Sequence, residues 1–195
     1  GPFSYWDSAA DALALLTHLG IDRAVVGGMS QGGFLSLRAA LTASDRVKAL
    51  VLMDTQAGVE DPAASGAYDM LHATWMEHGP APVQEVVAGI ILGEGDWSSW
   101  FEKWAALDRQ QFSLAYRCLM DRDDIAGRLA EITCPTIIFH GTDDAAIPMA
   151  KAEELQAGLG GPTELVAVPG GSHAANLTHP AQVNGPLLEF LRKHA

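Results

Sequence analysis

The segment Gly28-Met29-Ser30-Gln31-Gly32 has the residue types and spacing best suited to nucleophilic chemistry in this chain. It follows an apolar run, residues 23–27, and precedes a helix-like stretch, residues 34–43. A serine between a strand and a helix in a G-x-S-x-G pattern is typical of a nucleophile elbow, a strained turn that exposes the hydroxyl. We expect glycine at positions 28 and 32 because side chains there would crowd such a turn.

A serine hydroxyl needs a base to activate it, and the base needs a carboxylate to orient it. The chain supplies both groups after Ser30, and each follows a predicted strand. The apolar run 136–140 leads into Gly141-x-x-Asp144-x-x-x-Pro148, and the run 164–168 leads to His173. In an α/β sheet, ligands bind at the carboxyl ends of the strands. We therefore expect Ser30, Asp144 and His173 to lie together at that edge.

Two other carboxylates compete with Asp144 for the role of the acid. Asp143 adjoins Asp144, and spacing alone does not exclude it, although a solvent-facing neighbour is the simpler interpretation. Asp54 follows the predicted strand 49–53, and we interpret it as structural.

The other histidines are weaker candidates for the base. His179 is the one rival to His173, but it directly precedes Pro180 and is expected to cap the last helix. His140 lies at a strand end and is expected in the core. The rest lie in polar, helix-like contexts that indicate surface positions: His18, His72, His78 and His194.

Together these motifs resemble those of the α/β-hydrolase fold family, and the resemblance covers essentially the whole chain. Members carry G-x-S-x-G, then G-x-x-D-x-x-x-P, then a histidine seven residues before a proline, here His173. The resemblance implies that Ser30 is the nucleophile, Asp144 the acid and His173 the base. It also implies that the backbone N–H of Gln31 donates to the oxyanion, and that no cofactor or metal is needed.

The predicted fold class is α/β, a mostly parallel sheet with helices on both faces in three layers. Its strands are predicted at residues 23–28, 49–54, 135–140 and 164–168, and they are apolar throughout, as buried parallel strands are. By the resemblance, residues 1–54 and 129–195 form the hydrolase core and residues 55–128 form a helical cap. We expect four residues to line a substrate pocket under that cap: Met29, Trp75, Trp104 and Ile147.

The first segment of the chain is predicted to be a helix. Ser4 and Asp7 fit a capping box, and Gly20 is placed to end the helix. In the resembled family, several strands precede this helix, and one of their loops gives a second oxyanion donor. We therefore expect an N-terminally incomplete hydrolase that is weak or inactive as written, because losing one donor costs about 10²–10³ in turnover.

The charge composition argues against nucleic-acid and membrane partners. Twelve basic residues against 24 acidic ones give a net charge of −12, which repels nucleic-acid phosphates and anionic membranes. Cys118 and Cys134 have no metal-site spacing and are expected to be free thiols. We expect a cytoplasmic protein acting on a small molecule, without nucleic-acid or membrane partners, and the oligomeric state stays open.

The sequence thus predicts a serine hydrolase that cleaves a small to medium apolar ester or lactone through an acyl-enzyme. The overall pattern is similar to that of bacterial enol-lactonases and carboxylesterases. Two alternatives stay open. One is a cofactor-free perhydrolase or haloperoxidase-like enzyme with the same triad, and the other is a non-catalytic hydrolase-fold protein that binds a small apolar ligand or partner.

Overall fold

A computed structural model describes residues 1–62 and 64–195 in full and residue 63 by its backbone. The described residues form one four-stranded sheet in the order β1-β2-β3-β4, and each neighbouring pair is parallel. The strands are β1 (Ala24–Met29), β2 (Val47–Met53), β3 (Thr136–Gly141) and β4 (Thr163–Val168). Each strand end lies within two residues of its predicted position, and the predicted α/β class with a parallel sheet is confirmed.

Helices connect the strands and cover the sheet. They are α1 (Tyr5–His18), α2 (Gln31–Thr42), α3 (Pro62–His78), α4 (Gln84–Ile91), α5 (Ser98–Ala105), α6 (Arg109–Met120), α7 (Met149–Gly158), α8 (Ala175–Thr178) and α9 (Pro180–His194). Helices α3 to α6 lie between β2 and β3, in the interval predicted to form the cap, and we call them the α3–α6 segment. Within the described part of the chain, no helix combines the length and the apolarity that a membrane span requires.

Helix α1 begins where the sequence places it. The Ser4 side chain accepts a hydrogen bond from the backbone N–H of Asp7, and the Asp7 carboxylate accepts one from the backbone N–H of Ser4 at 2.8 Å. This reciprocal pair confirms the predicted capping box. Gly20, just beyond the helix, has φ +68°, a conformation that glycine adopts without steric cost.

The two faces of the sheet bury separate apolar cores. Leu50 and Leu52 of β2 pack on one face with side chains of α2 and α7. Val51 of β2 and Phe139 of β3 pack on the other face with side chains of α9. Because alternate residues of β2 are buried on opposite faces, the strand is apolar at every position from Ala49 to Met53, as predicted for three layers.

The register of the strands aligns their carboxyl ends. Met29 pairs with Met53, and Met53 pairs with Phe139. The residues that follow these positions therefore emerge at one edge of the sheet. That edge holds the predicted nucleophile, Ser30, and the start of the acid loop at Gly141.

Candidate active site

Ser30 stands at the junction where β1 ends at Met29 and α2 begins at Gln31. Its backbone has φ 51° and ψ −114°, and strained conformations of this kind cost about 1–3 kcal/mol. Neighbouring groups hold it in place. The Ser30 N–H donates to the Met53 carbonyl at 2.8 Å, and Thr55 Oγ1 donates to the Ser30 carbonyl at 2.8 Å. The turn is the strained strand–turn–helix that the motif predicted.

Steric contact explains one glycine of the motif but not the other. A Cβ on Gly28 would lie 2.5 Å from the carbonyl carbon of Gly32, so position 28 requires glycine. A Cβ on Gly32 would meet no described atom within 4 Å. The expectation that a side chain would crowd the turn at position 32 is therefore wrong. The unpredicted constraint is at Gly33, where a Cβ would overlap the Thr55 side chain.

Asp144 and His173 meet directly at the carboxyl edge of the sheet. His173 Nδ1 donates to Asp144 Oδ2 at 2.8 Å, since a carboxylate can only accept. Asp144 Oδ1 accepts the backbone N–H groups of Ala146 at 2.8 Å and Ile147 at 2.9 Å. With Nδ1–H held by the carboxylate, Nε2 is the nitrogen free to take a proton. His173 and the Asp144 side chain are both buried.

Gln31 begins helix α2, so its backbone N–H belongs to the first turn, where amides lack intrahelical acceptors and the helix dipole is positive. Such an amide suits a developing negative charge, although its role as oxyanion donor stays a prediction. The Gln31 side chain accepts a hydrogen bond from the Tyr5 hydroxyl at 2.8 Å. Tyr5 is buried and packs edge-on against Phe34, with ring centroids 5.4 Å apart. Helix α1 thereby steadies the residue after Ser30.

The rival residues lie elsewhere. Asp143 is exposed and accepts a hydrogen bond from Thr142 Oγ1 at 2.9 Å. His179 occupies the expected N-cap position of α9, but its side chain makes no capping hydrogen bond. Its Nδ1 instead bonds with Thr178 Oγ1 at 2.9 Å. The structure therefore pairs His173 with Asp144 and with neither rival.

A buried polar network surrounds the acid loop. Asp54 and His140 are completely buried, and Asp54 Oδ1 accepts the Gly141 N–H at 2.8 Å. His140 Nε2 donates to the Ile147 carbonyl at 2.8 Å, while its Nδ1 has no hydrogen-bond partner among the described residues. Burial raises the pKa of Asp54 to about 7 and lowers the pKa of His140, which favours the neutral ring.

Three side chains could each offer one ligand atom to a metal ion: Asp54, His140 and Asp144. These three atoms lie within 4.8 Å of one another, a spacing that a metal ion could bridge. Both oxygens of each carboxylate and Nε2 of the histidine already bond to backbone groups or to His173. We therefore interpret the cluster as a hydrogen-bond network that supports the acid loop.

A cavity of about 190 Å³ is lined by Ser30, Gln31 and His173. Residues from the sheet edge and from the α3–α6 segment form its walls together. Most of these are aliphatic or aromatic, among them Phe34, Leu71, Val87, Ile91, Phe112 and Leu119. Such a surface favours an apolar group placed beside the serine.

Two of the four predicted pocket residues line this cavity. Trp75 and Ile147 do, whereas Met29 and Trp104 are not among its lining residues. Met29 packs against the apolar cluster around Leu92. The Trp104 ring contacts Trp75, with centroids 6.0 Å apart, and belongs to that same cluster. The aromatic composition of the segment indicated a pocket but not which rings face it.

Four polar residues of the cavity wall were not predicted: Glu60, Tyr68, His72 and Tyr116. The expectation of a surface position for His72 is wrong, since this residue is half-buried in the wall. The His72 ring stacks on Tyr116 at a centroid distance of 4.0 Å, and burial lowers its pKa. Burial also raises the pKa of Tyr68. No motif marks these residues, because tertiary packing alone brings them to the cavity.

A family model described as the alpha/beta hydrolase family matches residues 1–185. The chain belongs to the alpha/beta hydrolase family. This confirms the resemblance found in the motifs, and it assigns the chain to a family of hydrolytic enzymes.

Relatives and solved structures agree with the assignment. A protein of Synechocystis sp. named as a non-heme chloroperoxidase is 30% identical over 210 residues, which cover 97% of this chain and 74% of the relative. A protein of Rhizobium rhizogenes named as a carbamate hydrolase, RutD, is 27% identical over 193 residues, covering 94% and 72%.

Two solved structures show the same fold. A thermophilic esterase from Thermogutta terrifontis, with malate bound, has a TM-score of 0.86 at 24% identity, covering all of this chain and 75% of its own. The enol-lactonase from Burkholderia xenovorans has a TM-score of 0.81 at 20% identity, with coverages of 98% and 74%.

Proposed function

We propose that this chain is a serine hydrolase that cleaves a small to medium apolar carboxylic ester or lactone through an acyl-enzyme. The observation that carries the proposal is the 2.8 Å hydrogen bond from His173 Nδ1 to Asp144, made by a histidine that shares an apolar cavity with Ser30. This is the arrangement that a serine nucleophile requires of its base and acid.

The reaction follows from these positions. Nε2 of His173 takes the Ser30 proton as Oγ attacks the acyl carbon, and the Gln31 N–H stabilises the charge on the oxygen. Asp144 holds the tautomer and stabilises the imidazolium. The imidazolium then protonates the departing alcohol. A water molecule, deprotonated by the same nitrogen, attacks the acyl-serine and releases the acid and the free serine.

The cavity supports a small, neutral acyl group. Its volume, about 190 Å³, is below the range of about 300–1,000 Å³ that pockets for drug-sized ligands occupy. Glu60 contributes a carboxylate to the wall, and its Oε1 pairs at 2.9 Å with Arg122, whose side chain is 1% exposed. Arg122 is not among the residues that line the cavity, so an anionic substrate would meet the like charge of Glu60 among mostly apolar side chains.

The test compares p-nitrophenyl esters that differ in length or charge. We expect the highest kcat/KM for butyrate, less for octanoate, and less than about one tenth of the butyrate value for the anionic hemisuccinate. The Glu60→Gln variant should narrow the gap between hemisuccinate and butyrate. Ser30→Ala should abolish turnover of every ester. Hydrolysis that persists in Ser30→Ala would overturn the proposal, as would saturable ligand binding without turnover that Ser30→Ala leaves unchanged.

A perhydrolase is the second candidate, favoured by the 30% identical relative named as a non-heme chloroperoxidase. The same acyl-enzyme would transfer its acyl group to hydrogen peroxide, so that acetic acid and peroxide give peracetic acid and water. Peracid formation that depends on Ser30 and exceeds ester hydrolysis would favour this candidate.

A further inference from the structure

Asp54 follows β2, the strand between the one that carries Ser30 and the one that leads to Asp144. It is completely buried. Its backbone has φ +46°, one of two positive values among the described non-glycine residues, and the other belongs to Ser30. Aspartate and asparagine tolerate this left-handed conformation better than most residues. The conformation brings the carboxylate to the same edge of the sheet as the acid and base loops.

The two oxygens of Asp54 bond to different loops. Oδ1 accepts the backbone N–H of Gly141 at 2.8 Å, three residues before Asp144. Oδ2 accepts the backbone N–H of Ala175 at 3.3 Å, two residues after His173. One buried carboxylate therefore joins the segment that carries the acid to the segment that carries the base.

A second set of contacts joins the same loops from the side of β4. The backbone N–H of Thr142 donates to the Val168 carbonyl at 3.0 Å, and the N–H of Asp143 donates to the Gly171 carbonyl at 2.9 Å. Asp54 supplies the connection on the side of β2. The loops that carry Asp144 and His173 are therefore joined by hydrogen bonds on both sides.

We propose that Asp54 is a positioning residue that holds Asp144 and His173 at hydrogen-bonding distance by tying both loops to the end of β2. It does not serve as the acid, because His173 Nδ1 is bonded to Asp144. The proposal rests on the proposed triad. The titratable groups nearest to Asp54 in this network are His140, Asp144 and His173.

Asparagine is the most informative substitution at position 54, because its side chain has nearly the same shape as that of aspartate and it tolerates the positive φ. A carboxamide has one acceptor oxygen, so its NH₂ group must face one of the two backbone donors. We expect Asp54→Asn to lower kcat by about 10–100-fold with KM nearly unchanged, since small misplacements of reacting groups are costly. Thr136→Val is the matched control, because Thr136 is equally buried at the opposite end of β3.

The direct readout is the downfield proton resonance of the hydrogen bond between His173 and Asp144, observed by NMR in histidine labelled with ¹⁵N. It is assigned by its loss in His173→Ala. We expect the resonance to persist in Thr136→Val and to be lost or broadened in folded Asp54→Asn. A folded Asp54→Asn that keeps the native resonance and the native kcat would overturn the proposal.

Two other outcomes are covered by further measurements: an Asp54→Asn variant that does not fold, and a native chain without esterase activity. If Asp54→Asn does not give a folded protein by circular dichroism, Asp54→Gly replaces it, since glycine accepts φ +46° freely and removes both hydrogen bonds. If the native chain shows the resonance but neither hydrolyses an ester nor forms a fluorophosphonate adduct at Ser30, the proposed function fails, and the role of Asp54 is judged by the resonance alone.

Discussion

The carboxyl edge of the sheet and the α3–α6 segment meet at the same cavity, but they are organised by different interactions. At the sheet edge, backbone hydrogen bonds hold the functional residues, as in the bond from the Ser30 N–H to the Met53 carbonyl. In the α3–α6 segment, side chains hold one another. His72 stacks on Tyr116, and Trp75 stacks on Phe112 with centroids 4.4 Å apart. We infer that the edge sets the chemistry, whereas the segment sets the shape of the substrate.

The largest expected effect lies at the edge. Asp144→Asn should lower kcat by about 10⁴-fold, because the amide cannot hold the imidazole tautomer that the serine needs. Asp143→Asn is the matched control and should leave kcat nearly unchanged, since Asp143 is exposed and bonds to Thr142. Steady-state kinetics on a butyrate ester measures both. A loss of less than about tenfold in Asp144→Asn would mean that another carboxylate is the acid.

The next largest effect is expected from a substitution in the nucleophile elbow. Gly28→Ala places a Cβ against the Gly32 backbone and should cost about 1–3 kcal/mol of unfolding free energy, because overpacking shifts the backbone. It should also lower kcat, since Ser30 lies two residues away. Gly32→Ala, with open space around its Cβ, should cost much less. The unfolding free energy, measured with urea, and kcat are compared between the two variants. Equal losses in both variants would show that contact with the Gly32 backbone is not what requires glycine at position 28.

In the α3–α6 segment the effect should fall on KM. Phe112 lines the cavity, whereas Trp104 does not, and both rings contact Trp75. Phe112→Ala should reduce kcat/KM for butyrate roughly tenfold, mainly through KM, as lost apolar contacts do. Trp104→Ala should lower thermal stability while KM stays close to native. A Phe112→Ala variant that changed kcat alone would contradict the inference that the α3–α6 segment selects the shape of the substrate and the sheet edge sets the chemistry.

The last effect is a pH dependence of stability that arises at the sheet edge. The pKa of Asp54 is raised by burial from 3.8 to about 7. Between pH 4 and 7 the folded state therefore binds more protons than the unfolded state, so this group lowers the unfolding free energy as pH rises through that window. Asp54→Asn lacks this slope. Urea unfolding at several pH values should show the native protein losing stability relative to Asp54→Asn between pH 5 and 7.

The control for this slope is an exposed carboxylate of the α3–α6 segment. Glu85→Gln, on α4, should keep the same pH dependence as the native protein. An identical slope in Asp54→Asn and Glu85→Gln would contradict the assignment of the slope to Asp54.

The sequence predicted the two regions unequally. Continuous apolar runs located all four strands, and the offsets from strand to loop were enough to place Ser30, Asp144 and His173 at the edge. Adjacent Asp143 and Asp144 could not be separated by spacing, because the choice depends on which way the loop turns after β3. In the α3–α6 segment, helical pattern and aromatic content favoured Trp75 and Trp104 equally. Only packing decides that Trp75 faces the cavity and that Trp104 does not.

Polar residues that owe their position to burial are the hardest to predict. The sequence indicates a structural role for Asp54. Its hydrogen bonds to two loops depend on its left-handed backbone conformation, which no sequence motif predicts. His72 lies inside a predicted helix, and no motif or strand end marks it as a residue of the site. It lines the cavity because α3 and α6 pack together and bring Tyr116 against its ring.

The most direct test of the central claim is covalent labelling with a fluorophosphonate, which reports an activated serine without needing the right substrate. The chain is labelled, the adduct is located by intact mass and peptide mapping, and circular dichroism on the same sample establishes that it is folded. We predict one adduct, on Ser30, that is lost in His173→Ala. A folded sample with no adduct, or with one that survives His173→Ala, would show that Ser30, His173 and Asp144 do not work as a triad in this chain.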